Sequence, residues 1–307
     1  MKLLIIGGVA GGASAAAKAR RMSEDAQIIL FERGEYISFA NCGLPYHVGK
    51  VIPTRENLLL MTPESFYART GVDVRIKQEV TKIDTESKEV QVKNHETGET
   101  YEENYDKLII ATGSSPICPP IPGADDENVM VLWTIPDMDK IKKRVDDGIK
   151  SAVVVGGGFI GVEVAENLVE RGVDTTLVEM MPQILPALDQ EMAQQLHEAF
   201  AENGVDLLLE QQVTEIKRIE DENKNFKHLE VILKSGKKIE TDLVVMSVGI
   251  KPNSELAKDA DLKLGVRNSI DVNDNLQTSN PDIYAVGDVI QIKNLVLDQP
   301  TLIPLAG

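Results

Sequence analysis

The chain is poor in the residues that would tie it together covalently or pack it around large rings. Its 307 residues include 2 cysteines, 1 tryptophan, 6 tyrosines and 6 phenylalanines. So few cysteines exclude a disulfide framework and fit a reducing, cytoplasmic setting with a single reactive thiol. Cationic side chains are scarce as well, since 32 Lys and Arg face 49 Asp and Glu for a net charge of −17. Such a field repels phosphate backbones and anionic lipid at long range, which argues against nucleic acid and membrane surfaces as partners. The charge-free stretch of residues 3–17 is shorter than the roughly 20 residues needed to span a bilayer. Gly7, Gly8, Gly11 and Gly12 interrupt it and disfavour the helix of a signal-peptide core, so a strand, turn and helix is the preferred reading and a signal the lesser one. Nothing in the composition suggests disorder or a fibre, and the length suits about two domains.

What the chain does have is a unit used twice. Residues 3–6 and 152–155 are short apolar runs, each followed by a Gly-rich turn, an Ala-containing helical stretch, and a second apolar run (28–31 and 175–178) that ends in Glu32 or Glu179. This is the pattern of a βαβ unit. A second echo pairs the run from Asp106 to Gly113 with that from Asp242 to Gly249 as the closing strand of each half. Antiparallel pairs are expected before these runs, 72–76 with 90–93 and 205–209 with 229–233. Pro116, Pro119, Pro120, Pro122 and Gly123 mark a passage between domains, with a return near 249–252. The expected fold is therefore α/β, with two doubly wound Rossmann-like nucleotide-binding domains, the second inserted in the first. Residues 1–115 and 249–307 would form one and residues 116–248 the other.

In the second copy, Gly156-Gly157-Gly158-Phe159-Ile160-Gly161 is a full G-x-G-x-x-G after a strand, and Glu179 follows at the distance of a ribose-binding acid. The first Gly makes the turn, the second admits a pyrophosphate, and the third lets helix and strand pack. Helix amides then face the phosphates. An acid at position 179 repels a 2′-phosphate, favouring NADH over NADPH. The first copy, Gly7-Gly8-Val9-Ala10-Gly11-Gly12, has Val9 where the second Gly belongs, yet its spacing to Glu32 is that of a dinucleotide site. Two such sites point to FAD beside NAD(P)H, with Asp288 after Gly287 placed to hold ribityl hydroxyls. Cys42, followed by Gly43 and Pro45, reads as a thiol at a helix start, where the dipole favours thiolate. Cys118, in the Pro-rich passage, reads as structural. His47, His95, His197 and His228 lack metal-ligand spacing, and no metal is expected.

At these residues the sequence resembles the pyridine nucleotide-disulfide oxidoreductases, in particular the single-cysteine branch of coenzyme A-disulfide reductases and NADH oxidases or peroxidases. The carriers are the two Gly-rich turns, Ala111-Thr112-Gly113, Ala285-Val286-Gly287-Asp288 and, most specifically, Ser38-Phe39-x-x-Cys42-Gly43-Leu44-Pro45-Tyr46. Two-cysteine relatives carry C-x-x-x-x-C, whereas here Ile37 and His47 flank Cys42 at that distance, so an internal redox disulfide is not expected. The resemblance implies a flavoprotein reducing coenzyme A disulfide, persulfide or polysulfide through Cys42. It places FAD on Gly7, Gly8, Val9, Ala10, Gly11, Gly12, Glu32, Arg33, Ala111, Thr112, Gly113, Gly287 and Asp288. NAD(P)H falls to Gly156, Gly158, Phe159, Ile160, Gly161, Glu179 and Gly249, and coenzyme A to Ser14, Lys18, Arg21, Ser38 and Asn41. Ser14, Lys18 and Arg21 share one helix face at i, i+4 and i+7. Thr70 occupies a contact position that is usually basic. The alternatives are an oxidase or peroxidase cycling Cys42 through a sulfenic acid, and a non-catalytic flavin-bearing redox sensor. Residues 302–307 resemble the entry to a C-terminal interface domain that builds a homodimer; the expectation is that the chain is a truncated fragment lacking that domain, with an incomplete sequence as the alternative. In some relatives a rhodanese domain follows.

Overall fold

Buried parallel strands need near-continuous apolar runs because helices or other layers cover both sheet faces. The computed structural model describes residues 1–219 and 228–303 and places each of the two runs of this kind at the centre of a five-stranded parallel sheet. The chain divides into two compact units, Met1–Phe39 with Leu59–Ser115 and Lys251–Gly307, and Ala40–Leu58 with Pro116–Ile250.

In the first unit the strand order is Ile283–Ala285, Lys107–Ile110, Lys2–Ile6, Gln27–Glu32, Asp73–Ile76, all parallel. Alternation along the strands divides the core. Leu4, Ile6, Ile29 and Phe31 face an antiparallel layer carrying Val80, Ile83, Val90 and Val92, whereas Leu3, Ile5, Ile28 and Leu30 face Ala13, Ala16 and Phe66 of the helices Ala10–Met22 and Pro63–Thr70. Each buried aliphatic side chain in these layers is worth about 1.5 to 3 kcal/mol relative to exposure. The order of the strands reverses at Lys2–Ile6, so its carboxyl end opens onto the crevice where doubly wound sheets bind ligands.

The second unit repeats the plan in the order Val205–Leu208, Asp174–Val178, Ser151–Val155, Leu243–Met246, Val129–Met130, again parallel. The registers correspond: Leu3 lies between Ile28 and Lys107, and Ala152 between Thr175 and Leu243. The echoing aspartates do the same work in each half. Asp106 accepts from the Lys2 amide at 2.6 Å, and Asp242 from the Lys150 and Ser151 amides at 2.8 and 3.1 Å. Each ties the start of the central strand to the start of the closing one.

Two expectations need correction. The stretches 72–76 and 205–209 do not pair antiparallel with 90–93 and 229–233. Asp73–Ile76 and Val205–Leu208 are parallel edge strands beside Gln27–Glu32 and Asp174–Val178, and the antiparallel partners are the strands that follow them, Gln78–Asp84 with Glu89–Asn94 and Val213–Ile219 with His228–Leu233. Short half-buried strands carry the same alternation in either direction, so pattern alone does not choose the partner.

The second correction concerns residues 40–58. They lie within the 1–115 segment, yet they pack in the second unit. Arg55 grips Asp139 through both carboxylate oxygens, with Nε–Oδ1 at 2.9 Å and Nη2–Oδ2 at 2.8 Å. Arg171 donates to the Val48 carbonyl at 2.7 Å. Pro45 and Val48 lie against Leu132, Ile141 and Val164. Gly49 presses so closely on Asn167 that an added Cβ would stand 2.0 Å from its Oδ1. No helix among the described residues is long and apolar enough to cross a membrane.

The Arg55–Asp139 pair gives a testable expectation. Arg55→Ala should cost about 1 kcal/mol, as befits a partly exposed bidentate pair, and should accelerate amide hydrogen exchange locally within residues 40–58. Exchange there that matches the parent protein would remove the pair as the anchor of this segment.

Candidate functional site

The first crevice is built by backbone closure. Gly7 has φ of 105°, and a Cβ there would stand 2.2 Å from the Ala111 carbonyl oxygen. A Cβ on Gly12 would stand 1.8 Å from the Gly7 oxygen. Only glycine permits this fit, which sets the helix Ala10–Met22 on the end of strand Lys2–Ile6. Val9 adopts φ −90° and ψ −136° at the helix start, a conformation that needs no glycine, so the turn keeps its shape with valine present. Gly11 faces Val286 and Gly287, bringing Asp288 to the same helix end. Asp288 accepts from Ser114 Oγ at 2.8 Å through Oδ2, and its other oxygen remains available. Glu32 accepts from the Gly8 amide at 2.8 Å and the Gly34 amide at 2.7 Å. Its two oxygens retain lone pairs for a ribose diol. Ala111, Thr112 and Gly113 follow the closing strand, with Gly113 and Gly287 at positive φ facing open space. Arg33 is exposed. The Gly-rich turn, Glu32, the 111–113 loop and Asp288 thus lie at the carboxyl end of one parallel sheet.

The second crevice follows the same rules. Gly156 has φ of 106°, and an added Cβ would meet the Ser247 carbonyl at 2.4 Å; one on Gly161 would meet the Gly156 oxygen at 1.9 Å. Gly158 differs from both. Its φ of −76° suits any residue, and a Cβ there would meet nothing within 4 Å. The fold does not require glycine at this position, whereas a pyrophosphate lying against the turn does. Glu179, only 8% exposed, accepts from the Gly157 amide at 2.6 Å and the Met181 amide at 2.7 Å. The acid therefore shapes the turn. Phe159 and Ile160 open the helix, and Gly249, at φ of 113°, lies past the closing strand.

Cys42 is exposed in a tight turn, Asn41–Gly43, that runs into the helix Leu44–Val48. The expected helix start is present, but five residues of helix carry little macrodipole. Ser38, just before this segment, is held at φ of 45°, a left-handed conformation uncommon outside glycine and frequent at functional sites. Its amide donates to the Gly8 carbonyl at 2.9 Å. Ser14, Lys18 and Arg21 lie exposed on one helix face, as expected, and neither cation has an ion-pair partner among the described residues. Asn41 is exposed in the second unit. Thr70 is occupied: its hydroxyl donates to the Phe66 carbonyl at 2.6 Å and accepts from the Val72 amide at 3.3 Å.

Cys118 is exposed and free, so the structural role expected for it is not that of a buried core thiol. Among the described residues no group of three or more His, Cys, Asp or Glu is placed to hold a metal. Pro304, Leu305, Ala306 and Gly307 lie outside the described residues. Sequence reasoning missed Asn253. Its side chain donates to the Thr112 carbonyl at 2.9 Å and accepts from Ser115 Oγ at 2.7 Å, its carbonyl accepts from Thr112 Oγ1 at 2.6 Å, and its amide donates to the Gly113 carbonyl at 2.9 Å. It braces the 111–113 loop, and its only sequence signal is a place beside the return passage at Pro252.

Residues 1–306 match the family described as Pyridine nucleotide-disulphide oxidoreductase. A coenzyme A disulfide reductase of Staphylococcus aureus (strain JH9) is 35% identical over 306 residues, covering 99% of this chain and 67% of that protein. An NADH oxidase of Methanocaldococcus jannaschii is 36% identical over 307 residues, covering 99% of this chain and 66% of that one. The crystal structure of reduced CoADR-RHD from Bacillus anthracis superposes with a TM-score of 0.93 at 48% identity, covering 99% of this chain and 54% of that one. The chain thus spans about two thirds of these curated relatives and about half of the crystallised chain.

The contrast among the glycines predicts two different outcomes. Gly161→Ala should lower Tm by several degrees, because backbone must move to admit the Cβ. Gly158→Ala should leave Tm unchanged or slightly raised while weakening NADH binding by roughly tenfold or more. Calorimetry and fluorescence titration check both, and tight NADH binding by Gly158→Ala would show that the open space is not the pyrophosphate seat.

Proposed function

This chain belongs to the pyridine nucleotide-disulphide oxidoreductase family, and we propose from that premise that it is an FAD-dependent NAD(P)H oxidoreductase that reduces coenzyme A disulfide, or a persulfide of coenzyme A, through Cys42. One observation carries the reading: two dinucleotide crevices of the same build occur in a chain whose exposed Cys42 lies three residues beyond Phe39, where the first unit breaks off.

In this reading the first crevice holds FAD, with Glu32 on the adenosine ribose, Asp288 on the ribityl chain and the amides after Gly7 on the pyrophosphate. The second holds NADH, with Glu179 on the ribose hydroxyls and in conflict with a 2′-phosphate. Bound FAD supplies the link between two-electron hydride chemistry and sulfur chemistry. The chain's own part begins at Cys42. Its thiolate attacks one sulfur of coenzyme A disulfide, forming a mixed disulfide and releasing one coenzyme A thiolate; two electrons then break the mixed disulfide, returning the Cys42 thiolate and a second coenzyme A thiolate. Lys18 and Arg21, free cations on an acidic protein, would attract the phosphates of the substrate, with Ser14, Ser38 and Asn41 as hydrogen-bonding partners. A homodimer and a cytoplasmic location belong to the same proposal. The exposed thiol and the archaeal relative named NADH oxidase favour a second reading, in which Cys42 cycles through a sulfenic acid.

Turnover of NADH by the FAD-loaded protein separates these readings when coenzyme A disulfide, coenzyme A persulfide, hydrogen peroxide and air are compared. The disulfide or persulfide should give the highest kcat/KM. Cys42→Ser should abolish that turnover yet leave FAD bound and reducible, whereas Cys118→Ser should leave both the turnover and the bound FAD unchanged. Full disulfide turnover by Cys42→Ser would end the proposal, and faster turnover with peroxide or air would favour the second reading.

A further inference from the structure

The loop after Glu179 is held under strain against the second Gly-rich turn. Leu185 stands at φ of 47°, a left-handed conformation that a side chain of its size keeps only where neighbouring contacts over-determine it. Two contacts tie this point of the loop to Gly157. The Leu185 amide donates to the Gly157 carbonyl at 2.7 Å. Ile184, fully buried, packs so closely that a Cβ added at Gly157 would stand 2.7 Å from its Cγ2. The amide of the same glycine donates to Glu179 Oε2 at 2.6 Å. Gly157 is thus held through its amide by the acid and through its carbonyl by the loop.

A third contact reaches outside the loop. The Ile184 amide donates to His197 Nε2 at 3.3 Å, and no other acceptor for that amide occurs among the described residues. A backbone N–H can only donate, so Nε2 is the ring nitrogen that carries no proton and the ring proton is on Nδ1. His197 sits two turns into the helix Gln190–Glu202. That helix buries Ala193 and Phe200 and packs against the strand Val205–Leu208. The imidazole therefore fastens the strained point of the loop to a regular element.

We propose that His197 is a positioning residue for the second crevice: by accepting the Ile184 amide it keeps the 180–189 loop seated on Gly157, and with it the turn that receives the pyrophosphate. The proposal rests on the reading of this crevice as the NADH site. Without that acceptor, a buried amide loses its partner beside backbone that is already strained. Leu185 then relaxes, and its hold on the Gly157 carbonyl goes with it.

The test compares His197→Leu, which fills similar space without an acceptor, with His197→Gln, whose side-chain oxygen can accept. Amide hydrogen exchange at Ile184 and Leu185, followed by NMR, needs no cofactor, and fluorescence titration gives the Kd for NADH. His197→Leu should speed exchange at both amides and weaken NADH binding roughly three- to tenfold, and His197→Gln should restore both toward the parent protein. Unchanged Ile184 exchange in His197→Leu, or a Gln variant as impaired as the Leu variant, overturns the proposal. Equal NADH affinity in the parent and His197→Leu overturns it as well, whereas a parent that binds no NADH ends the cofactor reading and takes the proposal with it. Should His197→Leu fail to fold, the nitrogen NMR shifts of the His197 ring in the parent at about pH 8 decide: a proton on Nδ1 is expected, and one on Nε2 overturns the proposal.

Discussion

Both units depend on backbone pressed against backbone where a helix closes onto the strand before it. The third glycine of each turn lies so near the carbonyl of the first that a single added carbon would stand 1.8 or 1.9 Å from it. That contact fixes where the helix begins, and its first amides then face the crevice. It also sets where the neighbouring acid must reach. Glu32 and Glu179 each accept the amide of the turn's second residue and an amide two residues beyond themselves. The acid that would recognise a ribose is therefore also a brace of the turn, and its removal changes shape as well as specificity.

Features fixed by chemistry within a few residues were legible from the sequence. The duplicated unit, the closing strands and the exposed cationic helix face are written in glycines, acids and apolar runs at short spacing. Partnerships between distant residues were not legible. The edge strands Asp73–Ile76 and Val205–Leu208 were given antiparallel partners because a half-buried strand alternates identically in both directions. Asn253 was invisible because its work is done through four bonds to a loop about 140 residues earlier. The packing of residues 40–58 depends on Asp139, Asn167 and Arg171, and none of these announces itself in the local sequence.

Charge explains a further asymmetry. In a chain of net charge −17 most cations are engaged with acids; Asp146, for example, takes Lys142 at 2.8 Å and Arg171 at 2.6 Å, which holds its carboxyl down at about 2. Lys18 and Arg21 are among the cations that no acid pairs with among the described residues, and they share one exposed helix face. An acidic protein that leaves two cations free on one helix face presents a local minimum of repulsion for anions, and long-range attraction there would weaken with added salt.

The segment that carries Cys42 leaves the first unit and returns to it through a narrow gate. Phe39 bridges Leu59, the Ala40 amide meets the Leu58 carbonyl at 2.8 Å, and the Leu60 amide meets the Ser38 carbonyl at 3.2 Å. Entry and exit are thus neighbours, as they are at the base of a hairpin. A segment with such a base can change in length or content while the sheet beneath keeps its register. The thiol and its surroundings form a cassette in the architectural sense, open to replacement by a different redox arrangement on an unaltered pair of nucleotide-binding frames.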